Sequence, residues 1–280
     1  MQVYQTKEAL LAFLHEKKVA LGLVPTMGAL HAGHLSLVEK AVQENPLTVV
    51  SIFVNPTQFN NTNDLKNYPK NLADDLQILA PFANSIVVFA PTVEELYGAF
   101  VQTKNYQFGS LERFMEGAAR AHHFQGVATV VEKLFTLVQP QKAYFGEKDF
   151  HQLQIIKALT NQKQWPIDII GCPIVREPNG LAMSSRNTLL TTAQREQAAL
   201  LSETLFWVTQ NIKHLSVAAL KEQVAQKCKQ KGFDLDYFEI ADTETLCPID
   251  EIKPGKSYRA FMAGFMGQIR LIDNMSISKI

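Results

Sequence analysis

Five short apolar runs, spaced so that segments of helical periodicity fit between them, constrain this chain more than any other feature of it. Val19–Val24, closed by Pro25, and Thr48–Val54, closed by Asn55-Pro56, have the length and β-branched content of buried strands, as do Ile86–Phe89, Ala143–Phe145 and Ile167–Ile170. Helical faces occur at Leu10, Leu11, Phe13 and Leu14, at Leu35–Val42, at Val127–Val138 and at Phe150–Leu159. Strands alternating with helices of this size are βαβ units. Residues 1–175 are therefore expected to form an α/β, Rossmann-like domain, a parallel sheet with helices on both faces. Right-handed crossovers place the strand C-termini, and the loops after them, along one edge, which is where chemistry is expected.

Beyond Ile174 the pattern changes. Arg176-Glu177-Pro178-Asn179-Gly180 is a turn signal, followed by two helical segments, Thr192–Lys213 and Val217–Lys231. Asp236–Ile240, Tyr258–Met262 and Gln268–Ile272 then alternate as half-exposed strands. Residues 176–280 are expected to be a smaller C-terminal α+β domain acting as a lid that turns about residues 175–182.

Composition narrows the function classes. The 280 residues hold 27 Lys or Arg against 27 Asp or Glu, so no global positive field is available to attract a polynucleotide. No uncharged apolar run approaches the roughly 20 residues of a membrane-spanning helix, and the N-terminus is too charged for a secretory leader. Cys172, Cys228 and Cys247 form no CxxC pair, which suits a reducing, cytoplasmic setting.

Four loops on the expected edge carry polar chemistry. Met27-Gly-Ala-Leu-His-Ala-Gly-His34 follows the first strand. Its two glycines have P-loop spacing, but His34-Leu35 replaces the required Lys-Ser/Thr. His31-x-Gly33-His34 instead lies where a loop enters a helix, so backbone N–H groups and two imidazoles can meet a phosphate. The same pair also suits a structural role, or two ligands of a zinc site completed by His122 or His123. Asn55-Pro-Thr-Gln58, after the second strand, offers neutral amides that donate and accept, which suits a hydroxy acid; Asn-Pro is equally a turn former. Gly146-Glu-Lys-Asp149 ends the fourth strand, where Lys148 can neutralise a phosphate or simply be a solvated turn charge. Met183-Ser-Ser-Arg-Asn187 gathers two hydroxyls and a guanidinium, as a triphosphate clamp or as a helix start with Thr191-Thr192 the true cap. Asp74-Asp75 is either a magnesium-facing pair or an exposed helical pair.

Together HxGH, NPTQF, GEKD and MSSRN, in this order, resemble the pantothenate synthetase (pantoate–β-alanine ligase) family. The likeness continues through His123-Phe-Gln-Gly-Val-Ala-Thr-Val-Val131, Lys133-Leu-Phe135, Val138-Gln-Pro140 and Arg270-Leu-Ile-Asp-Asn274. HxGH and MSSRN also look like variants of the HIGH and KMSKS signatures of class I aminoacyl-tRNA synthetase-like nucleotidyltransferases. The resemblance implies a two-step ATP-dependent condensation of (R)-pantoate with β-alanine through pantoyl adenylate, yielding pantothenate, AMP and pyrophosphate. It implies His34, His31 and Lys148 as catalytic residues. Met27, Gly28, Ala29, Leu30, His31, Ala32, Gly33 and His34 would line the ATP site, with Gly146, Glu147, Lys148, Asp149 and Val175. Met183, Ser184, Ser185 and Arg186 would close over the triphosphate. Gln58 and Gln152 would hold pantoate with Asn55 in support, and Gln58 would also meet β-alanine. Mg²⁺ would bridge the phosphates, with Asp74 and Asp75 as helpers, and the family implies a homodimer with small-molecule partners and no nucleic acid or membrane. Gln125 and Leu189 depart from the family pattern.

Overall fold

The computed structural model describes residues 1–277. In chain order the strands are β1 Gln2–Tyr4, β2 Leu21–Thr26, β3 Leu47–Ile52, β4 Ile86–Phe89, β5 Lys142–Gly146, β6 Asp168–Cys172, β7 Asp234–Asp242, β8 Tyr258–Met266 and β9 Ile269–Ile277. The helices are α1 Lys7–Lys17, α2 Ala32–Glu44, α3 Thr62–Asn67, α4 Leu72–Leu79, α5 Val93–Tyr97, α6 Met115–Ala119, α7 His123–Val138, α8 Phe150–Gln162, α9 Thr192–Gln197, α10 Leu200–Asn211 and α11 Val217–Gln230. They pack as two compact units that are discontinuous in sequence. The first comprises Met1–Phe108, Arg120–Glu147 and Gln152–Pro173; the second comprises Gly109–Ala119, Lys148–His151 and everything from Ile174 onward.

The first unit is the expected parallel sheet flanked by helices. Its strand order is β1-β4-β3-β2-β5-β6, with every pair parallel. Val24, Val50 and Val88 from three adjacent strands pack with Leu37, Val38 and Ala41 of α2 and Leu79 of α4. Each such side chain taken fully from water stabilises the fold by about 1.5–3 kcal/mol. α7 packs on β2 and α1, and buries residues all round, as a helix covered on several sides must. β1 had no sequence signal: it is a three-residue edge strand pairing only with β4 and mostly exposed.

The run closed by Pro25 continues one residue further. Leu21 O accepts from Gln141 N and Thr26 O accepts from Phe53 N, so alternate residues of β2 address β5 and β3. Pro25 addresses the β5 side, where pairing has already ended at Leu23, so its missing N–H costs no ladder bond. Because β3 and β4 lie to one side of β2, and β5 and β6 to the other, the order reverses between β2 and β5. In open parallel sheets that reversal opens a crevice at the strand C-termini.

The second unit holds the antiparallel sheet β7-β8-β9. One face packs on α10 and α11 through Leu205, Val208, Leu220, Val224, Ile240, Met262 and Leu271. β7 and β9 mix exposed, half-buried and buried positions, whereas β8 departs from the expected alternation and is buried at every position but Phe265. The opposite face is covered by the two inserted segments, with Arg259 stacked 3.8 Å from the Phe150 ring centroid and Arg270 paired in bidentate fashion with Glu116 (2.7 and 3.0 Å). Tyr237 Oη also donates to Glu116 (2.9 Å). The single helix expected over Thr192–Lys213 is two, because bonds from Ala199 N to Glu196 O and from Leu201 N to Ala198 O tighten the chain between α9 and α10.

Candidate active site

The loop from β2 to α2 is held by two side chains, Asp75 and Thr26. Gly28 (φ +78°) and Ala29 (φ +48°) both occupy the left-handed region, which turns successive amides inward. Buried Asp75, on α4, accepts from Ala29 N (3.1 Å) and Leu30 N (2.7 Å). Thr26 Oγ1 donates to Ser51 O and accepts from Gly28 N. A Cβ at residue 28 would lie 2.8 Å from Asp75 Oδ2, so the glycine is required by space as well as by φ. Burial pushes the Asp75 carboxyl above its ordinary range, with the two amide bonds pulling in the opposite direction.

His31 and His34 cap α2 for each other. Gly33 N donates to His31 Nδ1 (3.1 Å), His31 N donates to His34 Nδ1 (3.3 Å), and the ring centroids are 4.1 Å apart. An amide donating to each Nδ1 requires a lone pair there, so in the neutral rings the hydrogen sits on Nε2. Both imidazoles thus carry their donor on the atom away from the backbone. The structural reading of this pair is realised in the mutual cap, and in the neutral rings that cap sets the tautomer.

Next to this loop stands the turn after β3. Asn55 caps the 3₁₀ turn Pro56–Gln58. Asn55 Nδ2 donates to Gly126 O and to Gln58 Oε1 (both 3.1 Å), while Asn55 Oδ1 accepts from Tyr97 Oη (2.6 Å) and Thr57 Oγ1 (2.9 Å). The Gly126 carbonyl can only accept, which fixes the orientation of the Asn55 amide and hence turns Gln58 Oε1 inward. Gln58 Nε2 is left as the donor on the other side of the amide and donates to Met27 Sδ (2.8 Å). His123 Nδ1 lies 2.8 Å from Gln58 O, with Arg120 Nη1 3.0 Å from His123 Nε2. Arg120 and Tyr97 were not singled out as site residues, and His123 entered only as a possible zinc ligand; the contacts that tie Tyr97 and His123 to this turn span 40 to 65 residues and leave no local signal.

Gly146 and Glu147 lie at the C-terminal end of β5, next to β2 across the reversal in strand order, and Gln152 lies half-buried in the first turns of α8. Among the described residues no cluster of three or more His, Cys, Asp or Glu is placed to hold a metal ion, with His122 and His123 included. Asp74 and Asp75 face different ways, as adjacent helical residues do: Asp75 serves the loop and Asp74 accepts from Asn71 Nδ2 (2.6 Å). Asp74 and Asp75 therefore do not converge on one point as a pair of magnesium ligands would.

The remaining residues lie in the second unit. Lys148 Nζ is 3.8 Å from Asp149 Oδ1, a long pair, and Lys148 O accepts from Asn274 Nδ2 (2.8 Å). Val175 O accepts from Met183 N (3.0 Å), Arg176 bridges Ala182, and Gly180 (φ +92°) turns the chain between them, so residues 175–183 form a bonded hairpin. The hairpin delivers Met183 to Ser184, whose Oγ accepts from Arg186 N (3.3 Å) and caps the 3₁₀ turn Ser185–Leu189. Thr191 caps α9 separately, so the two capping alternatives are two different turns. Buried Asn187 braces the loop from beneath, donating to Glu177 Oε1 (2.7 Å) and Ala182 O (3.1 Å). Of the two departures from the family pattern, Gln125 exchanges hydrogen bonds with the Tyr106 backbone, and Leu189 is exposed.

The family model described as pantoate-beta-alanine ligase matches residues 2–276. The chain is 46% identical over 286 residues to the pantothenate synthetase of Christiangramia forsetii, covering 99% of this chain and 100% of that protein. It is 44% identical to that of Bacteroides thetaiotaomicron, covering 98% and 96%. Among solved structures it is similar to pantothenate synthetase from Thermus thermophilus, with TM-score 0.91, 40% identity and 99% of both chains covered. It is also similar to pantoate-beta-alanine ligase from Francisella tularensis complexed with beta-gamma ATP and β-alanine, with TM-score 0.83, 34% identity and 100% and 99% covered.

Proposed function

The chain belongs to the pantoate-beta-alanine ligase family and is a ligase that condenses pantoate with β-alanine at the expense of ATP, and from that premise we propose which residues carry each part of the reaction. The pantoate carboxylate oxygen attacks the α-phosphorus of ATP and pyrophosphate leaves; the β-alanine amine then attacks the acyl carbon, AMP leaves, and the amine loses a proton. Neither step needs a covalent enzyme intermediate, so positioning and charge neutralisation do the work.

The observation that carries the assignment is the mutual capping of His31 and His34, which puts hydrogen on both Nε2 atoms at the crevice where strand order reverses. We assign those donors to phosphate oxygens, with Met27, Gly28, Ala29, Leu30, Ala32 and Gly33 lining the nucleotide. Lys148 neutralises the α-phosphate as charge develops. Gly146, Glu147, Asp149 and Val175 are assigned to the nucleotide, and Met183, Ser184, Ser185 and Arg186 to the β- and γ-phosphates. Gln58 gives its Nε2 donor to pantoate and then to β-alanine, held by Asn55, and Gln152 assists. Mg²⁺ accompanying ATP would supply further charge neutralisation at the phosphates, and no role in holding it is given to Asp74 or Asp75. A homodimer is assigned on the family likeness, and a cytoplasmic setting on that likeness together with the free thiols at Cys172, Cys228 and Cys247.

The test is direct. With ATP, Mg²⁺, pantoate and β-alanine the protein is expected to form AMP and pantothenate in equal amounts. Lys148→Ala and His34→Ala are each expected to lower kcat by about 10²–10³, on the order of 3–4 kcal/mol of transition-state stabilisation. Unchanged turnover in both variants would overturn the assignment.

A further inference from the structure

Two sequence-adjacent residues of β9 each tie down a different segment assigned above to the triphosphate. Side chains of adjacent strand residues point to opposite faces, and Asp273 and Asn274 use both. Asp273 accepts a bidentate pair from Arg176 (2.6 and 3.0 Å), and Arg176 Nη1 also donates to Gly180 O (3.1 Å). That holds the hairpin that delivers Met183 to Arg186. On the other face Asn274 Nδ2 donates to Lys148 O, while Asn274 Oδ1 accepts from Arg259 Nη1, whose guanidinium is stacked on Phe150. Asn274 N also donates to Asp273 Oδ1 (2.8 Å), joining the two arms.

The orientation of the Asn274 amide is over-determined. A guanidinium has donors and no acceptor, and a backbone carbonyl has acceptors and no donor. One orientation alone satisfies Arg259 and Lys148 together. Asp273 and Asn274 are 3% and 2% exposed, so neither bond competes with water.

We propose that Asp273, Asn274 and Arg259 are positioning residues for the adenylation step, fixing the Lys148 main chain and the Met183–Arg186 loop to one rigid strand. They touch no substrate. This rests on the assignment of Lys148 to the phosphates.

Asn274→Asp is the sharpest probe, because it keeps the shape and the Arg259 partner but sets an oxygen against Lys148 O. Pantoate-dependent exchange of pyrophosphate into ATP reads the first step alone. The expected result is an exchange rate lowered tenfold or more, the β-alanine KM unchanged, and the melting temperature within a few degrees of the parent. In a Lys148→Ala background the same change should lower the rate less than twofold, since the group being positioned is gone. Asn274→Ala, which introduces no repulsion, serves if Asn274→Asp folds poorly, and is expected to lose fivefold or more. Parental exchange in either folded variant, or an undiminished loss in the Lys148→Ala background, would overturn the proposal. Parental exchange by Lys148→Ala itself would instead overturn the assignment on which it rests.

Discussion

Asp75 illustrates how a single residue's neighbours decide its work. Its carboxylate spends one oxygen on each of two loop amides, and those bonds hold Gly28 and Ala29 in conformations that an unsupported chain seldom adopts. Asp75→Asn keeps the shape but presents an NH2 to one of those N–H donors. Losing one buried bond is expected to cost about 1–3 kcal/mol of stability. The ATP KM should rise on the order of tenfold, which corresponds to about 1.4 kcal/mol of binding, with the pantoate KM little changed. Thermal unfolding and steady-state kinetics check both, and an ATP KM equal to the parent's would separate the loop's shape from nucleotide binding.

Among the elements, α7 packs tightly against the turn after β3. A Cβ on Gly126 would sit 2.2 Å from Thr57 O and 2.8 Å from Gln58 N, both backbone atoms that cannot swing away. The glycine lets the helix carry its carbonyl up to Asn55 Nδ2, and so sets the direction of Gln58. Gly126→Ala gains helix propensity of up to about 1 kcal/mol. Overpacking is expected to outweigh this gain, leaving a net loss of about 1–3 kcal/mol and a raised pantoate KM. Denaturant unfolding with kinetics would check it; a stabilised Gly126→Ala would mean that the α7 contact yields easily. Cap loss is milder: Thr191→Ala at the start of α9 should cost about 1 kcal/mol.

Across the whole molecule, burial biases several weak acids the same way. Cys172 and Cys228 are pushed up to about 11 by burial, and Tyr106, Tyr144 and Tyr237 are pushed above their ordinary value by burial and by Glu132, Glu44 and Glu116 respectively. For a group whose pKa is raised on folding, the stabilising contribution is complete below the unfolded value and is lost as pH rises through the folded one. For the thiols that window runs from about 9 to 11. The melting temperature is therefore expected to fall steadily between pH 9 and pH 11, and to fall less in Cys172→Ala/Cys228→Ala. A curve flat through that range would contradict the burial of these groups.

The amino-acid order by itself determined five of the six strands of the parallel sheet, the loops after them and the chemical kind of each polar cluster, because strand and helix periods and turn residues act over a few positions. NPTQF and HxGH were legible as polar loops for that reason. What they do was decided by tertiary contacts. The Gln58 amide was oriented only through Gly126 and Tyr97, which bond Asn55 from 71 and 42 residues away. Asp75 became a support for the loop when α4 brought it under residues 29 and 30. β8 lost its exposed face because residues 109–119 and 148–151, distant in sequence, cover it. Such bonds join groups 19 to 154 residues apart, and a period or spacing within a short window carries no record of them.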